Sequence, residues 1–425
     1  MPSVLPRLRN DLDFLPSPLT DRPGLLVRDP MRYSEVAMVL PPLLVRCLAC
    51  FDGAHSAEDL RMLVINLTGG PDPDDITRGL VGGLSESGFL DDDVFRALRA
   101  TRRRAFASAE VRPAAFAGGG YPDEHGPLRQ TLETWTAQRK PVPGVAAAGA
   151  ILGRNRRPVA IAAPHVSPEG GASTYAAAYG GLGDELADRT FVILGTSHYG
   201  PPNRFGLTRK SFQTPFGEAL TDVGLVDHLE RMAPGGVDLE DYCHAIEHSI
   251  EFQVLFLQHR FGPRVKILPI LCGPMICQMT SQTTGQMTGP TGRPEEDPGV
   301  ARVLGALAEL QAARGASLFW ILGVDMAHVG RRYGDPWSAL AHDGPMSGVA
   351  ERDRKRLERV LQGDADGFWA ALHEQGHDDL RWCGSAPLYT FLRAHPGVAG
   401  QLLEYEQWNI DDQSVVSFAA LSFEV

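Results

Sequence analysis

The strongest constraint on the fold of this 425-residue chain is a series of short apolar runs that alternate with helical patterns. Each run is rich in β-branched residues and has the length of a single buried strand. The runs lie at 158–164, 190–195, 265–272, 317–325 and in VVSFAALSFEV, and helical periodicity covers 173–187, 249–259, 299–314, 350–361 and 386–394. This alternation predicts an α/β domain with a central sheet flanked by helices.

Residues that can bind metals or move protons follow several of these predicted strands. The carboxyl ends of parallel strands lie at one edge of a sheet, where open α/β sheets bind their ligands. Side chains that are distant in sequence can therefore meet there. The candidates at strand ends are His165 in AAPH, His198 in ILGTSHYGP, and Asp325 and His328 in GVDMAH. A helix start adds Glu247 and His248 in IEHSIE, and a loop-to-helix junction adds Cys383 in WCGSAP.

Each of these histidines, taken singly, could equally cap a loop or fill part of the core. Taken together, neutral imidazoles and one thiolate form a competent ligand set for a transition metal. The sequence therefore predicts a shared metal site at the edge of the sheet.

The N-terminal part of the chain, residues 1–98, is expected to form a separate small unit. A strand-like stretch at 23–30 is followed by a helix that ends near Cys50 and by a second helix with Ser56 as its N-cap. A third helix carries Ile76, Leu80 and Leu84 near helical spacing. The pattern resembles a PqqD-like winged-helix domain, a family that recognises a leader peptide or a partner protein. A DNA-binding role stays an alternative, although the third helix carries little charge for contacting phosphates.

The boundaries of the large domain follow from composition. Residues 99–112, with RATRRRAF, are predicted to be a linker, and residues 113–425 the α/β domain. The Thr-, Gly- and Met-rich stretch 273–299 is predicted to be a loop insertion that could act as a lid.

Charge and hydropathy restrict the partners and the compartment. A formal net charge of −12 argues against nucleic acid and anionic membranes as partners, because both require a basic face. The chain shows neither a secretory signal nor an apolar run of the roughly 18–20 residues that a membrane span requires. Six cysteines in a chain of this length do not indicate a disulfide framework. These features predict a protein of the reducing cytoplasm.

Seven local motifs of residues 110–425 resemble the Memo family, whose bacterial members are labelled AmmeMemoRadiSam system protein B. They are APHVSPEGGASTYAAAYGGL, ILGTSHYGP, TPFGEALTD, EHSIEFQVLFLQ, ILPILCG, GVDMAHVG and CGSAPLY, and they occur in the family's order and spacing. The resemblance implies a fold similar to class III extradiol dioxygenases. Those enzymes hold non-haem Fe(II) with two histidines and a carboxylate, and a cysteine replaces the carboxylate in Memo proteins.

The resemblance implies roles for particular residues. His165, His198 and Cys383 would be the metal ligands. His328 would act as a general acid or base, and Asp325 would orient His328 or line the site. His248 would be a pocket residue supported by Glu247.

The chain departs from the family pattern at two places. VSPEGG follows His165 where many relatives have Gly-Tyr, and Gly323-Val324 replaces a usual pair of serines. The shape of the substrate pocket therefore does not carry over from relatives.

The resulting expectation is one transition metal per chain, with Fe(II) first because of the fold resemblance and Cu or Zn as alternatives. The first functional hypothesis is an oxidoreductase that uses O2 on a small aromatic or a peptide-borne substrate, which the N-terminal unit could present. The second is a metal-binding or redox adaptor that docks a partner through that unit. The third is a scaffold that binds no metal.

Overall fold

The structure is a computed structural model that describes residues 4–69, 72–137, 157–276 and 292–425. It contains two compact units, Met1–Ala109 and Glu110–Val425. Among the described helices, none combines the length and the hydrophobicity that crossing a bilayer requires.

The first unit consists of a small antiparallel sheet followed by helices. Its sheet has the order β1-β2-β3, and a 3-10 helix covers Pro42–Cys50. Ser56 caps α1 as the sequence predicts, because its hydroxyl accepts from the backbone N–H of Asp59 while the Asp59 carboxylate accepts from Ser56 N–H. The elements are β1 Asp13–Pro16, β2 Leu25–Arg28, β3 Ala37–Leu40, α1 Ala57–Thr68, α2 Pro73–Glu86 and α3 Asp93–Ser108.

The predicted linker at 99–112 is wrong, because residues 99–108 continue α3. Arginine is a good helix former, so a basic composition does not end a helix. Phe95 and Phe106 on this helix are buried. Residues 111–112 form strand β4 of the second unit, so the boundary falls at 109/110.

The second unit contains a large mixed sheet with helices against it, which confirms the predicted α/β architecture. Its strands are β4 Val111–Arg112, β5 Pro158–Ala163, β6 Thr190–Thr196, β7 Phe205–Leu207, β8 Ser211–Thr214, β9 Gly217–Thr221, β10 Val237–Leu239, β11 Lys266–Cys272, β12 Leu318–Gly323, β13 Asp325–Gly330, β14 Ala399–Asp411 and β15 Ser414–Glu424. Its helices are α4 His125–Thr136, α5 Ala172–Tyr179, α6 Val223–Met232, α7 Cys243–Ile246, α8 Glu251–Phe261, α9 Pro298–Arg314, α10 Met346–Leu361, α11 Ala365–Leu372 and α12 Ser385–Ala394.

The sheet runs in the order β13-β15-β5-β12-β6-β11-β9-β8-β4. Strands β5, β12, β6 and β11 are parallel, whereas β15 pairs antiparallel with β5 and with β13. The central residues of the parallel strands are apolar because both faces of the sheet are covered. In β6, Val192 and Leu194 face one core layer and Phe191 and Ile193 face the other.

Two further segments concern the sequence-based expectations, namely a strand that was not predicted and the predicted lid. Strand β14, which pairs along β15, lies outside the predicted strands because it is partly exposed and carries Glu404 and Glu406 instead of an apolar run. The predicted lid at 273–299 falls mostly outside the described residues. Within it, residues 292–299 include a 3-10 helix at Pro294–Glu296 and the start of α9.

Candidate metal centre

Three parallel strands end together and deliver the first candidate residues. Gly323 at the end of β12 is in register with Ala163 of β5 and with Gly195 of β6. His165 and His198 stand two and three residues beyond those positions. The prediction that these strand ends meet at one edge is thus confirmed by the register.

Cys383 is brought to the same edge by the loop that precedes α12. This loop runs beside β13, because Gly384 N–H donates to Asp325 O at 3.0 Å and His328 N–H donates to Leu380 O at 2.8 Å. The ligand atoms of His165, His198 and Cys383 all lie within 4.8 Å of one another.

The donor set fits a single transition metal ion. Cys383 Sγ lies 3.3 Å from Nε2 of His165. Bonds of about 2.1 Å to nitrogen and 2.3 Å to sulfur at a tetrahedral angle would place two such atoms about 3.6 Å apart. The rings of His165 and His198 stand at 88° with centroids 5.0 Å apart.

Both candidate ligand histidines are fixed through their Nδ1 atoms. Nδ1 of His165 lies 2.9 Å from Gly323 O, and Nδ1 of His198 lies 3.0 Å from Oε1 of Glu247. A carbonyl or carboxylate at Nδ1 selects the tautomer whose Nε2 lone pair is available to a metal. Glu247 therefore supports His198, in addition to the support of His248 that the family resemblance implies.

Glu247 is buried and holds two histidines. Its carboxylate accepts from His198 N–H and from His248 N–H, both at 2.9 Å, and its Oε1 also lies 3.1 Å from His248 Nδ1. Burial raises the pKa of Glu247, but the charge and hydrogen bonds of His198 and His248 outweigh it and hold this pKa well below its usual value. His248 stacks on His198 at 5.0 Å and 11°. These contacts make His198, Glu247 and His248 a hydrogen-bonded trio beside the centre.

Asp325 contacts His165 rather than the ring of His328. Its Oδ1 accepts from His165 N–H at 2.9 Å, and its Oδ2 lies 3.4 Å from His165 Nε2. His328 uses Nδ1 toward Met326 O at 2.9 Å. Of the two predicted roles for Asp325, the geometry favours lining the site over orienting His328.

The protonation states of the ligands follow from burial and from each other. Burial lowers the pKa of His165 well below its usual value, which keeps the ring neutral. Burial also lowers the pKa of His198, but Glu247 and Cys383 more than offset this and raise it, with 27% of the side chain exposed. Burial raises the pKa of the Cys383 thiol. A metal ion would thus release protons on binding.

Three aromatic residues at the site were not found by sequence reasoning. Tyr333 meets the His328 ring edge to face at 5.1 Å, and Phe116 and Phe252 meet His248 at 5.6 and 5.4 Å. Phe116 follows the predicted linker, where only the stretch AAFAGGGYP could have drawn attention to it. Tyr333 and Phe252 carry no local signal, since their positions depend on contacts across the fold.

A cavity of about 280 Å³ adjoins the centre on the side of α11. His198 and Cys383 form part of its wall, and Trp369, Trp382 and Met275 supply apolar surface. Among the described residues that line it, none is lysine or arginine. Its volume is close to the lower end of small-ligand pockets.

The fold and the donor set define an α/β protein with a candidate centre of two histidines and one cysteine. The family model described as Memo-like protein matches residues 112–290 and 295–422, and the chain belongs to this family. The predicted membership in the Memo family is confirmed. The likeness to extradiol dioxygenases and to PqqD-like domains stays a prediction.

Individual relatives agree with the family match. A MEMO1 family protein of Aquifex aeolicus is 24% identical over 402 residues, covering 94% of this chain and 95% of the relative. Others from Thermococcus kodakarensis and Ignicoccus hospitalis are 29% and 28% identical, covering 64% and 74% of this chain and 88% and 98% of the relatives. The Aquifex match includes most of the first unit, because the 6% of the chain that it leaves out is much shorter than Met1–Ala109.

Proposed function

We propose that this protein is a metal-dependent oxidoreductase in which His165, His198 and Cys383 hold one transition metal, with Fe(II) first and Cu or Zn as alternatives. The observation that carries the proposal is the convergence of the three ligand atoms within 4.8 Å, with both histidines anchored through Nδ1. When bound, an open iron site of this kind would supply activation of O2 and of a chelating substrate. The proposal includes a fold of the extradiol dioxygenase type.

In this proposal His328 acts on a substrate proton. Burial lowers its pKa to about 4, and Nδ1 donates to Met326 O, so the neutral ring offers Nε2 as an acceptor. His328 is therefore a general base that would take the proton of a substrate hydroxyl. His248 and Asp325 line the same space, and Asp325 holds the backbone of His165.

The proposed substrate is small and aromatic, or is an aromatic side chain carried by a peptide. The Trp-lined cavity beside His198 and Cys383 supports this choice, because Trp369, Trp382 and Met275 give it apolar surface and neither lysine nor arginine is among the described residues that line it. The first unit is proposed to dock the peptide or a partner protein. A thiolate ligand remains reduced in the cytoplasm, which is the proposed location.

A second candidate function is a metal-binding or redox adaptor without turnover. The size of the adjoining cavity, about 280 Å³, favours it, because a volume near the lower end of small-ligand pockets leaves little room for a substrate. The first unit would then dock the partner.

Elemental analysis of anaerobically purified protein tests the proposal. We expect about one iron or copper per chain in the wild type and in His342→Ala, whose ring is exposed, and loss of metal in His198→Ala and Cys383→Ser. Oxygen consumption with catechols and aromatic peptides would then separate the two functions. His328→Ala should keep the metal and lose turnover. Purified protein that binds none of Fe(II), Cu(I) and Zn(II) would refute both the oxidoreductase and the metal-binding adaptor.

A further inference from the structure

A buried carboxylate outside the centre connects the two segments that build it. Asp353 lies on α10 with 0% of its surface exposed. It accepts three hydrogen bonds, from Trp382 Nε1 at 2.8 Å, from Tyr405 OH at 2.8 Å and from Ser417 Oγ at 2.6 Å. A buried carboxylate is costly unless such donors compensate it.

The first connection leads to Cys383. Trp382 precedes this ligand, and the indole Nε1 can only donate, so Asp353 must be the acceptor. The backbone N–H of Trp382 donates to Asp378 Oδ2 at 2.6 Å, and Arg356 binds Asp378 Oδ1 at 2.8 Å. Arg356 and Asp353 both belong to α10, so this helix holds Trp382 through its ring and through its backbone.

The second connection leads to β13. Ser417 on β15 donates to Asp353, and its oxygen accepts from Ala327 N–H at 2.9 Å. Ala327 stands between Asp325 and His328. One carboxylate thus reaches the Cys383 loop through one oxygen and the strand of Asp325 and His328 through the other.

The third donor is different, because Tyr405 binds the same Asp353 oxygen as Ser417 and not the oxygen that reaches the Cys383 loop. Its hydroxyl accepts from Gln407 Nε2 at 3.1 Å, and Gln407 Nε2 also donates to Met346 O at 3.0 Å, at the start of α10. Tyr405 therefore contributes to burying Asp353 without touching the centre.

We infer that Asp353 is a positioning residue that fixes the Cys383 loop against β13 and so holds the thiolate ligand in reach of His165 and His198. The inference rests on the proposed metal centre. Residues that orient metal ligands typically account for a 10–100-fold difference in metal affinity. An amide at this position has one acceptor oxygen and would turn an N–H toward one of the donors.

The test compares Asp353→Asn and Trp382→Phe, with Tyr405→Phe as the matched control. Two quantities are measured on the full chain: Zn²⁺ affinity by competition with a chelating dye, and the rate at which iodoacetamide alkylates Cys383 in metal-free protein, followed by mass spectrometry. We expect the first two variants to bind Zn²⁺ about 10–100-fold more weakly and to alkylate Cys383 faster, because the loop is released. Tyr405→Phe should match the wild type within about 2-fold on the same scale.

Outcomes that overturn the inference differ from those that overturn the metal centre. If Tyr405→Phe and Trp382→Phe changed Zn²⁺ affinity and the Cys383 alkylation rate equally, the cause would be general destabilisation and not positioning. An unchanged alkylation rate in Trp382→Phe would also refute the inference, even if Asp353→Asn failed to fold. Failure of the wild type to bind Zn²⁺ would refute the metal centre alone, since the alkylation rates would still report on Asp353.

Discussion

Oε1 of Glu247 lies 3.0 Å from Nδ1 of His198, and the same carboxylate accepts from the backbone N–H of His198 at 2.9 Å. One side chain thus fixes both the ring and the backbone of a proposed ligand. This contact orients the imidazole and raises its basicity toward a metal.

We expect Glu247→Gln to lower metal affinity about 10–100-fold, because the amide is neutral and binds Nδ1–H more weakly. Competition titration with Zn²⁺ or Co²⁺ measures this loss. Glu218→Gln, at an exposed position, removes the same charge and should leave the affinity unchanged. Equal affinities in the two variants would contradict the supporting role of Glu247.

The lowered pKa of His328 predicts a pH dependence of stability. Its value in the folded protein is about 4, so below pH 6.5 the unfolded chain binds a proton that the folded site resists. Stability is therefore lost as the pH falls from about 6.5 to about 4, by roughly 2 kcal/mol for a partly exposed ring. Urea unfolding of metal-free wild type and His328→Gln across this interval measures the difference. If the unfolding free energies of the two proteins changed equally with pH, the His328 ring would not have a lowered pKa.

The buried ion pair between Arg112 and Glu251 ties β4 to α8. Arg112 also donates to His244 O and Glu247 O, both at 2.8 Å. Arg112→Ala leaves the Glu251 carboxylate without its cation and should cost about 3–5 kcal/mol of unfolding free energy. Lys355→Ala, which breaks an exposed pair with Glu374, should change it little. Denaturant titration checks both, and a small effect of Arg112→Ala would contradict a stabilising role for this ion pair.

Gly384 follows Cys383 where the loop meets β13. An added Cβ would lie 2.6 Å from Asp325 O and from Val324 Cβ, so Gly384→Ala should displace the loop, cost about 1–3 kcal/mol and weaken metal binding. Gly348→Ala, at an open position of α10, should be neutral or stabilising. Thermal unfolding and Zn²⁺ titration of both variants provide the comparison. Wild-type affinity in Gly384→Ala would show that the loop has room to shift.

The parallel strands and the residues that follow them could be predicted because their signals are local. An apolar run such as Phe191–Leu194 needs no partner to be recognised as a buried strand, and parallel strands share one edge. His165, His198 and Asp325 were therefore expected to meet before any distance was known. Cys383 was a candidate for its thiol alone, since no strand precedes it, and the family resemblance supported its place in the ligand set.

Other features depend on contacts that local patterns do not contain. His395 follows α12 in a stretch with no local sign of burial, yet it is buried, and its ring centroid lies 4.8 Å from that of Trp320 on β12. Arg112 looked like the end of a basic linker, although its partner Glu251 lies on another element. Asp353 gave no signal at all in a charged amphipathic helix. Each of these positions is decided by a residue far away in the sequence.

The placement of β15 between β5 and β13 has a consequence for how the protein folds. Leu421 pairs with Ala162, and Val416 pairs with His328, so the strand joins partners separated by much of the chain. Such pairing forms slowly, because the entropy cost of closing a long loop precedes the stabilisation by the strand contacts. During refolding, β13 gains its strand partner only when β15 inserts beside it, and the Cys383 loop hydrogen-bonds to β13. Metal-binding competence should therefore appear later than sheet formation.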